Sequence, residues 1–329
     1  MNKKAIALLS GGLDSTLAIC IVKAQGVEVE ALKVYTVFSC CGNDARLVAQ
    51  KLGVRFTMLR VGDDYLDLLR RPRFGYGRGL NPCVDCRAYM FGMARQFMET
   101  VGASFIISGE VLEQRPMSQK YKDFKAIEAS TGLEGLILRP LSAKRLPVTK
   151  PEEAGIIDRS ALFGICGRTR HKILELAAHY GIEDPPHPSS GCALTSPLFA
   201  RKLRDVFDHQ ERCERWEIEI LKTGRHFRLD PCSKAVLARD ENESAYLEAL
   251  RPEGTTLLRC FNFGGPSALL IGDRTPERLQ KIMGLMVQGA RKPCPEYFEI
   301  KVDSGEGEEV LTAGPSVDEN PLITEPLRI

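Results

Sequence analysis

Ala5-Ile6-Ala7-Leu8-Leu9-Ser10-Gly11-Gly12-Leu13-Asp14-Ser15-Thr16 is the stretch on which the reading of this chain turns. Five apolar residues run into a glycine turn, and the turn runs into a segment whose apolar residues recur at helical spacing as far as Gly26. A strand that ends in paired glycines and re-enters a helix aims backbone N–H groups and the positive helix terminus at one point, which suits an anion. Ser10, Ser15 and Thr16 add hydroxyl donors. Asp14 is out of place beside phosphates unless it holds a metal or orients the loop. No Gly-Lys-Ser/Thr follows at Walker spacing, so the loop is of another kind.

Outward from this loop, strands alternate with helices. Residues 29–37, 55–59 and 104–107 read as further strands, 136–138 as a short fifth, and 43–52, 86–101 and 169–180 as helices. The rhythm predicts an α/β fold with a doubly wound parallel sheet and ligands at the carboxyl ends of its strands. Asp184-Pro185-Pro186-His187-Pro188 ends the pattern. Beyond it a second, smaller α+β domain is expected, with strands at 218–221, 226–229, 235–238, 256–260 and 268–271, a helix at 240–250 and a last helix after Thr275. The expected division is 1–195 for the first domain, 196–216 for a linker helix, 217–300 for the second domain and 301–329 for an acidic tail.

The chain has 329 residues, is 43% hydrophobic and 27% charged, and carries a formal net charge of +2. That length holds two compact domains. No apolar run approaches the roughly 20 residues of a membrane span, and the 5–9 run is too short for a signal peptide, so no membrane partner and a cytoplasmic location are expected. The bases Arg139, Lys144, Arg145, Lys150, Arg159, Arg168, Arg170 and Lys172 face only three acids between 139 and 172. They read as an RNA-backbone or pyrophosphate surface, or as ordinary surface charge.

Eleven cysteines in a reducing compartment divide into packing thiols and ligands. Cys20, Cys213, Cys232, Cys260 and Cys294 stand singly and read as packing residues. Cys83 and Cys86 are three apart at a helix start, and Cys192 lies in an irregular Pro-Ser-Ser-Gly segment. A pair plus one distant thiolate suits a cluster bound by three cysteines with one iron open, or a zinc ion completed by His187. Cys166, in Gly164-Ile165-Cys166-Gly167, is a rival third ligand, and Cys40-Cys41 reads as incidental or as a sulfur relay.

The Ser10-Gly11-Gly12-Leu13-Asp14-Ser15 segment resembles the signature of the PP-loop ATPases, the adenine nucleotide α-hydrolase-like superfamily. The cysteine set, with Asn81-Pro82-Cys83, resembles the iron–sulfur-dependent tRNA thiolation enzymes and the 2-thiouridylases. Ser108-Gly109-Glu110-Val111-Leu112-Glu113-Gln114 is similar to a strand-end segment of the 4-thiouridine synthetases. Thr223-Gly224-Arg225-His226-Phe227-Arg228-Leu229 and Asp240-Glu241-Asn242-Glu243 resemble the RNA-binding domain of the NFACT family. The N-terminal RNA-binding domain usual in 4-thiouridine enzymes is missing from the sequence, which leaves the target nucleotide open.

These resemblances imply ATP, Mg2+ and a 4Fe–4S cluster, with zinc as the alternative. They imply tRNA as partner, with sulfide or a persulfide carrier as sulfur donor. An oligomer is compatible with the sequence. Ser10, Gly11, Gly12, Asp14, Ser15 and Thr16 would hold the nucleotide, with Val34 at the adenine and Glu110 and Gln114 at a uracil edge or the magnesium. Asp14, Cys83, Cys86 and Cys192 would carry the chemistry. A uracil oxygen would be adenylated and replaced by sulfur, most simply giving 4-thiouridine. The rivals are a 2-thiouridylase, a PP-loop enzyme for a small molecule, and a non-catalytic RNA-binding protein.

Overall fold

The computed structural model describes residues 1–38, 44–183, 191–291, 295–305, 307–313 and 329, which divide into two compact units, Met1–Ser196 and Pro197–Ile329. In the first, β1 (Lys4–Leu8), α1 (Leu13–Lys23), β2 (Glu28–Tyr35), α2 (Ala45–Lys51), β3 (Arg55–Arg60) and α3 (Asp64–Arg70) are followed by α4 (Cys83–Thr100). Then come β4 (Phe105–Ser108), α5 (Tyr121–Thr131), β5 (Ile137–Leu138), α6 (Lys150–Glu153) and α7 (His171–His179). The five strands are parallel, in the order β3-β2-β1-β4-β5. The α/β doubly wound expectation is met.

The two faces of this sheet follow from the period-two alternation of its strands. Ala5, Ala7, Val29, Ala31, Phe105 and Ile107 pack with Leu17, Ile21, Ala49, Ile173 and Ala177 of α1, α2 and α7. Ile6, Leu32, Val34, Ile106 and Ile137 point the other way, onto Phe91, Ala94 and Met98 of α4 and Ile127 of α5. Because β1 lies between β2 and β4, the loops leaving β1 and β4 share the switch point where the winding reverses.

The second unit contains α8 (Pro197–His209), α9 (Arg215–Glu219), β6 (Arg225–Asp230), β7 (Ser233–Leu237), α10 (Glu241–Leu250), β8 (Thr255–Cys260), β9 (Ala268–Ile271), α11 (Pro276–Gln288), β10 (Phe298–Asp303) and β11 (Glu308–Ala313). Its strands form one antiparallel sheet, β11-β10-β8-β9-β7-β6. Three expectations change here. Residues 218–221 are not a strand: Glu214 and Glu217 build a capping box that starts α9, and a single turn over Ile220–Lys222 continues it. The expected 196–216 linker is largely α8, which is fastened to this unit. Lys202 Nζ donates to the carbonyls of Leu221 and Gly224 at 3.1 and 3.0 Å, and Arg228 Nε donates to Asp205 at 3.0 Å. Residues 301–313 are not a loose tail, since β11 completes the sheet against β10. Thr275 caps α11 through Arg278 N, with Pro276 in the first turn.

Candidate functional site

The loop between β1 and α1 is stiffened from within. Gly11 sits at φ 87°, a conformation that favours glycine. The hydroxyls of Ser10 and Ser15 are 3.1 Å apart, Gly12 N donates to Ser10 Oγ at 3.2 Å, and both Ser15 Oγ and Thr16 Oγ1 donate to the Gly12 carbonyl. The helix N-terminus has no side-chain cap, so its first N–H groups stay open toward an anion. Gly109, quoted above only as part of the strand-end segment, backs this loop. A methyl group built on it would fall 2.4 Å from Ser15 N and 2.6 Å from the Asp14 carbonyl carbon. Only a glycine after β4 lets the two switch-point loops touch.

Asp14 does not point free. Gln114 Nε2 donates to its Oδ2 at 3.0 Å. Burial raises the Asp14 carboxyl above its ordinary range, against the Gln114 hydrogen bond and the charges of Arg170 and Arg115. Gln114 therefore aligns Asp14, and Arg170, at the start of α7, adds a cation beside the loop. Glu110 has a different place from the one expected of it. It is buried, Arg139 Nε donates to it at 3.1 Å, and Arg87 stands 3.6 Å away. Arg139 itself is buried, bonds Glu128 at 2.6 Å and lies 3.9 Å over the Phe124 ring. It is thus a strut of the fold rather than part of a basic surface. Lys144, Arg145 and Arg159 likewise donate to the carbonyls of Ser160, Gly164 and Ala143. Charge counts along the chain overstate this surface because a guanidinium is also a good backbone clamp. Val34 is buried near the end of β2 with its side chain in the core, so only its backbone faces ligand space.

The cysteine pair opens α4. Asn81 Nδ2 donates to Cys83 Sγ at 3.2 Å, and the buried Tyr65 hydroxyl of α3 donates to Cys86 Sγ at 3.0 Å. Burial pushes the Cys86 thiol up, and the Tyr65 bond opposes that. Burial also raises the Tyr65 phenol, and after it the charges of Cys86, Cys192 and Cys83 contribute. One phenol thus stands within charge range of all three sequence-predicted cysteines. The backbone explains how Cys192 arrives: Ala193 N bonds the Phe38 carbonyl at 3.3 Å, and Leu80 N bonds the Leu194 carbonyl at 3.1 Å. Cys166 goes elsewhere. It bridges to Leu112, and its thiol donates to Glu113 at 3.3 Å. Among the described residues, no three His, Cys, Asp or Glu side chains converge closely enough to hold a single metal ion. His187 and Cys40-Cys41 lie outside the described residues, as do Cys294 and the acidic residues beyond 313. Cys232, read as a packing thiol, is exposed.

Arg115 joins the two halves of the site. Its guanidinium is lowered by burial and then by Arg87, while Asp14, Cys83 and Glu110 oppose the shift. Nucleotide loop and cysteine set therefore lie within charge range of one side chain. Neither Tyr65 nor Arg115 could be singled out beforehand, because nothing near them in sequence marks them.

A strand–glycine-loop–helix anion site at the switch point of a doubly wound parallel sheet suits a nucleotide phosphate, and the antiparallel second unit is a separate module. The first unit is similar to tRNA-thiolating enzymes, and the second to an NFACT-type RNA-binding domain. Residues 1–145 match the family described as thiamine biosynthesis protein (ThiI), and residues 224–320 match the NFACT protein RNA binding domain. The chain is 25% identical over 203 residues to the tRNA-specific 2-thiouridylase MnmA of Geotalea uraniireducens, covering 55% of this chain and 51% of that one. It is 27% identical over 231 residues to the MnmA 1 of Syntrophus aciditrophicus, covering 62% and 56%. The chain thus spans about half the length of the curated relatives it matches. A solved 4-thiouridine synthetase–RNA complex with bound ATP aligns at a TM-score of 0.34 and 21% identity, over 67% of this chain and 51% of that one. No helix among the described residues is long and apolar enough to cross a membrane.

Proposed function

We propose that this chain is an ATP-dependent, AMP-forming tRNA uridine thiolase that replaces a uracil carbonyl oxygen by sulfur, with 4-thiouridine as the product. The observation that carries the reading is Arg115, within charge range of Asp14 in the nucleotide loop and of Cys83 in the cysteine set. An oxygen activated at the first place and a sulfur atom held at the second would then share the field of one guanidinium.

In this reading the open N–H groups of α1, with Ser10, Ser15 and Thr16, bind the pyrophosphate end of ATP. Asp14, aligned by Gln114, orients the magnesium that accompanies it, and the backbone at Val34 contacts the adenine. The uracil oxygen attacks the α-phosphorus and displaces pyrophosphate. Sulfide then adds to the activated carbon, and AMP leaves with the former uracil oxygen on its phosphate. Uridine, ATP and hydrosulfide thus become thiouridine, AMP and pyrophosphate. Arg170 and Arg115 offset the charge that gathers on the phosphates. Water must be kept out, because hydrolysis of the adenylated base returns the uridine unchanged.

Cys83, Cys86 and Cys192, grouped round the Tyr65 donor, would be the three thiolates of a 4Fe–4S cluster, whereas a zinc ion would need a fourth ligand. Bound there, such a cluster supplies an iron without a protein ligand as the carrier of the sulfur. Asn81 and Tyr65, donating to Cys83 and Cys86, orient the thiolates. A second reading, 2-thiouridine, is favoured by the 2-thiouridylase relatives.

Anaerobically prepared protein should be brown, and Cys83→Ala, Cys86→Ala or Cys192→Ala should bleach it; colourless protein with one zinc per chain would remove the cluster. Nucleosides from the tRNA of a deletion strain should lack 4-thiouridine. Loss of 2-thiouridine instead would establish the second reading, and an unchanged thionucleoside profile would remove both.

A further inference from the structure

Between Asp67 and Asp85 the chain has no acidic residue, yet it carries Arg70, Arg71, Arg73 and Arg78, interleaved with Phe74 and Tyr76. The structure makes this stretch an ordered loop. The Asp85 carboxylate accepts from Arg73 N at 2.9 Å and from Phe74 N at 3.0 Å, and the Tyr76 hydroxyl donates to the Leu69 carbonyl at 2.7 Å. Gly77 N bonds the Asn81 carbonyl at 3.0 Å, and Gly79 N bonds the Asn81 side chain at 3.1 Å. The same Asn81 donates to Cys83.

So anchored by its backbone, the loop presents its side chains outward. Arg71, Arg73 and Arg78 are exposed, and Phe74 and Tyr76 keep 42% and 39% of their surface in solvent. The Arg73 guanidinium lies 5.3 Å over the Phe74 ring. Beside them runs an open groove of about 520 Å³, lined among others by Phe74, Arg73, Tyr89, Arg95 and Gln96. The acids on that groove are engaged: Asp85 with the loop backbone, Glu99 with Arg95 at 3.2 Å.

We propose that residues 70–79 are a binding element for unpaired RNA, which holds the strand beside the target uridine and so delivers that base to the cysteine set. The inference rests on the tRNA reading above and adds a surface to it. Exposed aromatic faces stack on bases whatever their sequence, and exposed arginines such as Arg71, Arg73 and Arg78 neutralise phosphates. The groove has the volume of a nucleotide-sized ligand. Through Asn81, the end of the loop is fixed to Cys83, so a strand held there is placed in register with the site.

The test is the affinity of the full chain for an unmodified tRNA transcript, by fluorescence anisotropy across a salt series. The triple variant Arg71→Ala, Arg73→Ala, Arg78→Ala should bind at least tenfold more weakly at low salt, with its log–log salt slope reduced by about two. Phe74→Ala should bind roughly tenfold more weakly with the slope unchanged, as loss of stacking requires. Asp85 is kept in both, and wild-type ATP binding and melting temperature would show the domain intact. If wild-type chain binds the transcript and both variants match it in affinity and slope, the loop inference falls and the thiolase reading stands. Variants that bind tRNA normally yet lose thiolation would assign the loop to an acidic protein partner and also overturn it. If the wild-type chain does not bind the transcript at all, both readings fall.

Discussion

Replacing Gly109 by alanine should disable the nucleotide loop without replacing any residue assigned to ligand contact. The added methyl would stand 2.4 Å from Ser15 N, 2.5 Å from Ser15 Cα and 2.6 Å from the Asp14 carbonyl carbon, about 1 Å inside ordinary contact at 3.4 Å. All three neighbours are backbone, so no side chain can swing aside. Either the end of β4 retreats or the first turn of α1 moves, and β4 is held on both sides by β1 and β5. The loop should therefore give way, carrying Asp14 off Gln114. Displacements of that size at an active site can cost about a hundredfold in rate. Strain in a packed region should also lower stability by about 1–3 kcal/mol. The assay is tRNA-dependent pyrophosphate release, with ATP affinity by calorimetry and a thermal melt on the same sample. Gly109→Ala enzyme with ATP affinity and turnover within twofold of wild type would refute the argument that the two loops are in contact.

Gly92, by contrast, lies inside α4 with nothing within 4 Å of a built methyl, so Gly92→Ala should stabilise the chain by about 0.5–1 kcal/mol in denaturant unfolding. Glu110→Gln breaks a buried charge pair with Arg139 and should cost about 3 kcal/mol of stability while leaving ATP and Mg2+ affinity unchanged. A selective loss of Mg2+ affinity would restore Glu110 to a ligand-binding role. Lys234 is buried with no hydrogen-bond partner among the described residues, and burial brings its ammonium down to about 8 from 10.5. A base with a lowered pKa burdens the folded state fully below that value, and the burden fades as pH rises toward the unfolded value. Lys234→Met should therefore raise stability at pH 7 by up to about 3 kcal/mol, at 1.36 kcal/mol per pKa unit. The gain should shrink between pH 8 and about 10.5, and a pH-independent gain would contradict the assignment to that ammonium.

The local part of this molecule was legible before its structure. A glycine turn between an apolar run and a helical repeat constrains its own dihedrals, and period-two apolar strands demand a sheet covered on both faces. Strands at 218–221 were misplaced because Ile218, Ile220 and Leu221 suit either period, and only the Glu214–Glu217 capping box decides for a helix. The 301–313 segment was misread because β11 is a charged edge strand on which only Leu311 and Ala313 turn to the core, while its other side chains face solvent.

What the amino-acid sequence determined by itself was the anion loop, the class of fold and the two candidate sets of ligands. Tertiary structure alone decided which members of those sets meet. The order β3-β2-β1-β4-β5 puts Gly109 against Ser15, and the backbone bonds from Ala193 and Leu194 bring Cys192, rather than Cys166, toward Tyr65 and the cysteine pair. The same packing took Arg139 out of the basic surface and spent it on Glu110. A loop's conformation depends on residues beside it in the chain, whereas a meeting of distant side chains depends on topology and on which partner satisfies each buried charge.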